Sequence, residues 1–461
     1  MQTAQPVTQF NSNSDYPQPT RADLSSEQEA RPPLVFPRAN PDPCARITMR
    51  VYQPGMDGNA GSVVTVQNVL VKTRRRVTVG KRGGGRGEDD STSSEDSSSE
   101  EEDDSEEGDA RNTMDTTTDE TTTSAAAGVE EERAYWLQRT LREAIYGEVK
   151  YAVVLRRCTA ADQIVIGGVD GGGNTADWVV TNEACAVKEL SWQHIQREQG
   201  KLAEDPIAEV SAMQYIKRCL EANNNTGNNN NLMDNHVMLP MDLLTDDRNL
   251  YSIMPYCNGG ELFDLLDERN KFSEGEARYW MHQILAGLEF LQRLGISHRD
   301  MSLENLLVHG GGCLIIDMGM CLLVPREGNR RYLITPQGTC GKWNYISPEI
   351  AHNRVPFDGY AVDMWAVGVI LFLMLTGFPP WERPTTDDER FKYMTNGYLV
   401  QMLTEWELGL TPDAMDLLQR MLWLDPRDRL SLEQVLAHPW MVNGPRTPPA
   451  VQEPYLFSGG G

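Results

Sequence analysis

The stretch His298-Arg299-Asp300-Met301-Ser302-Leu303-Glu304-Asn305 constrains this chain more than any other. It sets Asp300 and Asn305 at the separation that phosphoryl transfer requires. The carboxylate can accept the proton of a substrate hydroxyl, while the amide reaches back to a magnesium ion bridging the phosphates. A pattern this short can arise by accident, so its weight depends on whether chemical partners follow in the right order.

They do. Upstream, Ala184-Cys185-Ala186-Val187-Lys188 reads as a strand carrying one lysine. Glu209, or alternatively Glu204, follows where a helical stretch could supply that lysine with a carboxylate; Glu209 is preferred because Met213, one turn later, shares its face. Downstream, Leu314-Ile315-Ile316 delivers Asp317-Met318-Gly319, and Ser347-Pro348-Glu349 closes the loop beyond. Each piece has an ordinary reading: Lys188 as a solvated strand lysine, Asp317 as a turn residue, Asp300 as a helix cap. Their joint order resembles the eukaryotic protein kinase family, serine/threonine type, from about Arg142 to Trp440. The ending His438-Pro439-Trp440 is similar to that of calcium/calmodulin-dependent kinases, although no calmodulin-target helix follows.

The resemblance implies an α+β bilobal protein kinase fold, with a small β-rich N-lobe, a larger helical C-lobe, and ATP with Mg2+ bound between them. It implies Asp300, Lys188, Asn305 and Lys342 as catalytic groups, and Asn305 and Asp317 as metal ligands. The nucleotide would be held by Tyr146, Gly147, Val149, Ala186, Lys188, Glu209, Met254, Tyr256 and Cys257. Asp363 would hold the catalytic loop backbone, Arg429 would pair with Glu349, and Arg299 would receive a phosphorylated Thr339, Thr335 or Tyr332. Serine or threonine is the expected acceptor, because Ser302-Leu303-Glu304 lacks the arginine typical of tyrosine kinases. Glu261 and Glu304 match positions that receive substrate arginines, which makes basic protein segments the expected targets; Glu261 reads equally as an ordinary helix-terminal carboxylate.

Several positions depart from the family pattern. Arg142 and Ala144 stand where two glycines of the phosphate loop are expected, which puts close backbone approach to the phosphates in doubt. Ser302 stands where a lysine is usual and Lys342 where a threonine is usual, as if hydroxyl and ammonium were exchanged. Met318 replaces a phenylalanine, and Pro255 opens the hinge. These changes keep a second reading open: a pseudokinase scaffold that binds partners without turnover.

Composition sets the surroundings. The 461 residues carry a formal net charge of -25, much of it between Glu88 and Asp109, so nucleic acid is an unexpected partner and basic proteins an expected one. Eight scattered cysteines without metal-ligand spacing imply free thiols, and Cys321 and Cys340 fall where an exposed thiol could sense redox state. No secretory signal is visible, and the apolar run from Met364 to Leu375 reads as a buried core helix, too short to span a bilayer. The expectation is a monomer without a membrane partner, intracellular, in the cytoplasm or, given the basic residues between Lys72 and Arg86, the nucleus.

In domain terms, residues 1–129 are expected to be mostly disordered, 130–440 to form the kinase domain, and 441–461 to be a flexible tail. Within the first region, disorder is expected to about Pro43, while alternating segments between Ile47 and Val79 look strand-like and could make a hairpin or add to a sheet edge. Helical character is expected from Glu130. Gly167 to Gly173 and Asn223 to Asn231 read as inserted loops.

Overall fold

The computed structural model of the chain describes residues 29–55, 61–73, 132–163, 176–223, 235–328 and 330–449. The acidic tract, the basic segment beyond residue 73, the glycine cluster, residues 224–231 of the asparagine-rich insertion and the tail beyond residue 449 lie outside the described residues.

The N-terminal half is built from β1 (Ala30–Arg31), β2 (Asp42–Gln53), β3 (Ser62–Lys72), β4 (Arg133–Ala144), β5 (Gly147–Arg157) and β6 (Trp178–Ser191). Helices α1 (Trp192–Glu198) and α2 (Pro206–Asn223) follow, then β7 (Asp242–Thr245) and β8 (Asn249–Pro255). The strands form a closed barrel in the order β2-β3-β4-β5-β6-β8-β7. β2 closes it, pairing in parallel with β7 through Asp42↔Leu244 and with β6 through Val51↔Trp178. The hairpin expected between Ile47 and Val79 is therefore an integral wall, and closure satisfies strand edges that an open sheet would expose.

Two expectations fail here. The stretch from Glu130 was expected to be helical, but Arg133–Ala144 is a strand. Ala134 packs with Val51, Val69 and Leu155, while Tyr135 and Leu137 pack with Leu70, Val154 and Val187. From Ala134 to Leu137 both faces are covered, and the short apolar run that results has a periodicity that does not distinguish strand from helix. Residues 29–43, expected to be disordered, hold specific contacts. β1 pairs in parallel with the strand Leu333–Ile334 of the activation segment, and Leu34 N–H donates to the Leu323 carbonyl at 2.9 Å. Phe36 is buried with its ring 5.9 Å from Tyr215 of α2. Ala39 and Asn40 N–H donate to Ser211 Oγ and Gln214 Oε1, also on α2. A strap laid on an already folded surface needs few apolar anchors, which is why its composition reads as disorder.

The C-terminal half contains α3 (Leu262–Arg269), α4 (Glu274–Arg293), β9 (Ile296–Ser297), β10 (Leu306–His309), β11 (Gly312–Ile315) and β12 (Leu322–Leu323). The short strands β13 (Arg326–Glu327), β14 (Arg330–Arg331) and β15 (Leu333–Ile334) carry the activation segment to α5 (Pro348–His352) and α6 (Gly359–Thr376). Among the described residues, the α-helices α7 (Glu389–Tyr393), α8 (Leu399–Glu405), α9 (Pro412–Met421), α10 (Leu432–Leu436) and α11 (Pro439–Asn443) complete it, with a π-helical turn at Met394–Tyr398 between the first two. α4 opens on the expected capping box, Ser273 with Glu276. α6 is the one helix among the described residues apolar and long enough to cross a membrane, but 83% of it is buried inside the protein, as a core helix should be. Arg429 grips Glu349 with two bonds of 2.7 and 2.8 Å and lies over the Trp365 ring of α6.

Candidate active site

Strand geometry explains one side of the cleft. Side chains alternate along β6, so Cys185 and Val187 enter the barrel interior while Ala186 and Lys188 share the opposite face. Cross-strand partners on that face follow from register: Val149 opposite Lys188, Tyr151 opposite Ala186, and Met254 opposite Ala186 on the other flank. Tyr151 meets Tyr256 edge-to-face at 5.0 Å. The expected nucleotide residues Val149, Ala186, Met254 and Tyr256 thus converge, Cys257 continues the chain beyond Tyr256, and Tyr151 joins them without having been anticipated. A residue missed in this way was recoverable from alternation alone, being two positions past Val149.

The hairpin tip behaves differently. A Cβ on Gly147 would lie 2.0 Å from the Glu189 carbonyl, so only glycine fits. Tyr146, expected over the nucleotide, instead turns into the core. Its hydroxyl donates to the Glu204 carbonyl at 2.8 Å, and its carbonyl accepts from Ser191 N–H. The aromatic ring is drawn there by burial against Leu190 and Met213.

Lys188 Nζ donates to both Glu209 oxygens, at 2.8 and 2.7 Å, which decides between Glu209 and Glu204. Burial weighs against the lysine cation, but the carboxylates of Glu209 and Asp317 outweigh it and raise its pKa. α2 is fixed where it begins. Asp205 Oδ1 accepts from Ile207 and Ala208 N–H, and Asp205 N–H donates to the Gly319 carbonyl.

On the facing side, the β10–β11 hairpin pairs Leu306 with Ile315, so the residues flanking it lie side by side. Ile316 N–H donates to the Asn305 carbonyl at 3.0 Å, which brings Asp317 next to Asn305. Asn305 Nδ2 donates to the Asp300 carbonyl at 2.7 Å and to its Oδ2 at 2.9 Å. Asp363 accepts from the N–H groups of His298 and Arg299 at 2.9 and 2.7 Å, holding the loop as expected. Asp300 N–H donates to His298 Nδ1, so the buried imidazole keeps its proton on Nε2 and donates to the Ile316 carbonyl. Burial lowers the His298 pKa and favours that neutral ring.

The two aspartates are driven apart in acidity. Burial pushes Asp300 up to about 6 despite Lys342 and the Asn305 amide. Burial also opposes the Asp317 charge, but Lys188 and the Gly319 N–H prevail and hold it below the ordinary carboxylate value. Such divergence leaves one carboxyl able to take up a proton near neutral pH and another that favours its charged form.

Lys342 Nζ donates to Ser302 Oγ at 2.6 Å and lies 3.7 Å from Glu304 Oε1. The exchanged residues therefore touch through the Lys342 Nζ–Ser302 Oγ bond. Met318 is buried in the same cluster as Met213. Arg299 donates from Nη1 to the Met320 carbonyl and keeps Nε and Nη2 buried without a partner among the described residues, while Thr339 is exposed and Tyr332 donates to Glu327. Cys321 and Cys340 are buried, and burial raises both thiol pKa values, which removes the basis for a redox sensor there.

The donor chemistry suits magnesium: Asp317 offers an ionised oxygen, and Asn305, with its NH2 committed to Asp300, offers its amide oxygen. Glu204 approaches the same place, its carboxylate oxygen within 4.8 Å of those of Glu209 and Asp317. A Cβ on Gly319 would lie 2.6 Å from Glu204 Cγ.

A family model described as the protein kinase domain matches residues 175–441. The chain is 33% identical over 283 residues to serine/threonine-protein kinase DCLK3 of Mus musculus, covering 60% of this chain and 32% of that protein. It is 30% identical over 226 residues to maternal embryonic leucine zipper kinase of Xenopus tropicalis, covering 49% and 33%. It is 35% identical over 192 residues to serine/threonine-protein kinase CHK1 of Mycosarcoma maydis, covering 41% and 28%. The matches span about a third of the length of these curated relatives.

Proposed function

This chain belongs to the protein kinase domain family, and from that premise we propose that it is a serine/threonine kinase using ATP and magnesium, with hydroxyls of basic protein segments as acceptors. The observation that carries the reading is the placement of Asp300 and Asp317 on either side of Asn305, whose amide bonds the Asp300 carboxylate and whose carbonyl accepts from the Ile316 N–H just before Asp317; burial raises the first carboxyl and Lys188 lowers the second.

Magnesium, when bound, would neutralise charge on the phosphate oxygens. Asp317 and Asn305 are the residues that would hold it. Lys188, itself fixed by Glu209, supplies a cation for the nucleotide phosphates, and Lys342 supplies a second one from the opposite side. Asp300 orients the acceptor hydroxyl and takes its proton. This is catalysis by positioning and fixed charge. Met254, Tyr151 and Tyr256 offer apolar surface to a base. Arg299, with two nitrogens unpartnered among the described residues, fits a phosphate on the activation segment, and exposed Thr339 is the preferred acceptor for it. Eight free thiols favour an intracellular site of action, cytoplasmic or nuclear.

The test is transfer of labelled phosphate from ATP to basic peptides, with Asp317→Ala as control. Incorporation well above the control supports the kinase; incorporation equal to it favours a scaffold that binds without turnover.

A further inference from the structure

Arg142 occupies a position where the resembling family carries glycine, and its side chain crosses the cleft. On β4 it is paired with Val149, which is paired with Lys188, so it stands in the same cross-strand rung as that lysine, two strand spacings or roughly 10 Å away. Its guanidinium bonds Glu261 Oε1. Glu261 is the N-cap residue of α3, yet its side chain makes no capping bond. A carboxylate at a helix start ordinarily turns to the free N–H groups there. Here it is committed to the opposite lobe. Nearby Glu304 has one oxygen facing Lys342 and the other buried without a partner among the described residues.

Resting on the basic-substrate reading above, we propose that Arg142 is an internal occupant of the subsite that receives a substrate arginine. Its guanidinium latches the β4–β5 hairpin to the start of α3 until an incoming arginine displaces it. Entry of a basic segment then breaks the latch and frees the hairpin, so recognition and cleft opening are one event. The latch is weak by construction, because the Arg142 side chain is 65% exposed and Glu261 21% exposed. An exposed pair of this kind corresponds to about a two- to fivefold effect on binding.

The experiment uses the full chain and two fluorescein-labelled peptides, identical except for arginine or alanine at one position upstream of the acceptor serine. Affinity is read by anisotropy, without turnover. Arg142→Ala is expected to tighten the arginine peptide about two- to fivefold and to leave the alanine peptide unchanged; in a Glu261→Gln background the same substitution should do nothing. Equal effects on both peptides, no effect on either, or a gain that persists without Glu261 would each overturn the latch. Arg142→Lys, which keeps the charge, guards against misfolding and should behave nearly as the parent. A chain that binds the arginine peptide in this pattern but transfers no phosphate overturns the kinase reading and leaves the latch standing. A turnover-competent chain indifferent to Arg142 does the reverse.

Discussion

Replacing Lys342 with methionine separates two contributions that the proposed function gives to one ammonium. Asp300 must be ionised to take the hydroxyl proton, and its pKa of about 6 puts the acid limb of the kcat/KM profile near pH 6 in the parent. Lys342 is one of the groups holding that pKa down. An opposite charge within a few ångströms moves a carboxyl by about one to three pH units. The lower end applies here, because Lys342 is 41% exposed and shared with Ser302 and Glu304. The limb should therefore rise by about one pH unit in Lys342→Met. The ratio of parent to variant rates then grows about tenfold between pH 8 and pH 5, on top of a pH-independent loss from the missing phosphate contact. Steady-state rates on one basic peptide from pH 5 to pH 9 measure both parts. Superimposable profiles with equal rates would refute the idea that Lys342 does the work of the absent lysine at position 302.

Arg429→Ala leaves Glu349 buried without its partner, the two side chains being only 1% and 7% exposed. The cost should be about 3–5 kcal/mol, and at roughly 2 °C per kcal/mol for a domain of this size the melting temperature should fall about 6–10 °C, with a fall under 2 °C contradicting the account. Phe36→Ala removes the buried anchor of the N-terminal strap. Hydrogen exchange should then accelerate in β15 and along α2 while the α6 core stays protected; unchanged exchange at β15 would mean that the strap does not hold the activation segment.

What the sequence disclosed follows the chemistry. Asp300, Asn305, Asp317 and Lys188 could be picked out because proton acceptance, metal ligation and phosphate binding each restrict a position to one or two residue types. Arg429 with Glu349 and Asp363 with the loop backbone came from the family resemblance, and the structure shows why the pattern is kept: a buried charge needs a dedicated partner. Packing was less visible. Alternation between Ser62 and Val66 announced a strand but not the barrel that β2 closes. β4 was misread as helix because apolar clusters cover both its faces. Tyr146 was assigned to the nucleotide by motif, whereas its surroundings gave it a drier place beside Leu190. The bond from Arg142 to Glu261 joins residues 119 positions apart, and nothing local to either announces it.

The most direct measurement compares the parent chain with Asp300→Asn, which preserves shape and hydrogen bonding but cannot accept a proton. Nucleotide binding is read as the shift in melting temperature with ATP and magnesium, and phosphate transfer as label incorporated into a basic peptide. The account predicts equal thermal shifts for the two proteins, with transfer by the parent at least a hundredfold above the variant, as expected for loss of a general base of about 10²- to 10⁴-fold effect. A parent that binds ATP as well as Asp300→Asn yet transfers no more phosphate would contradict it.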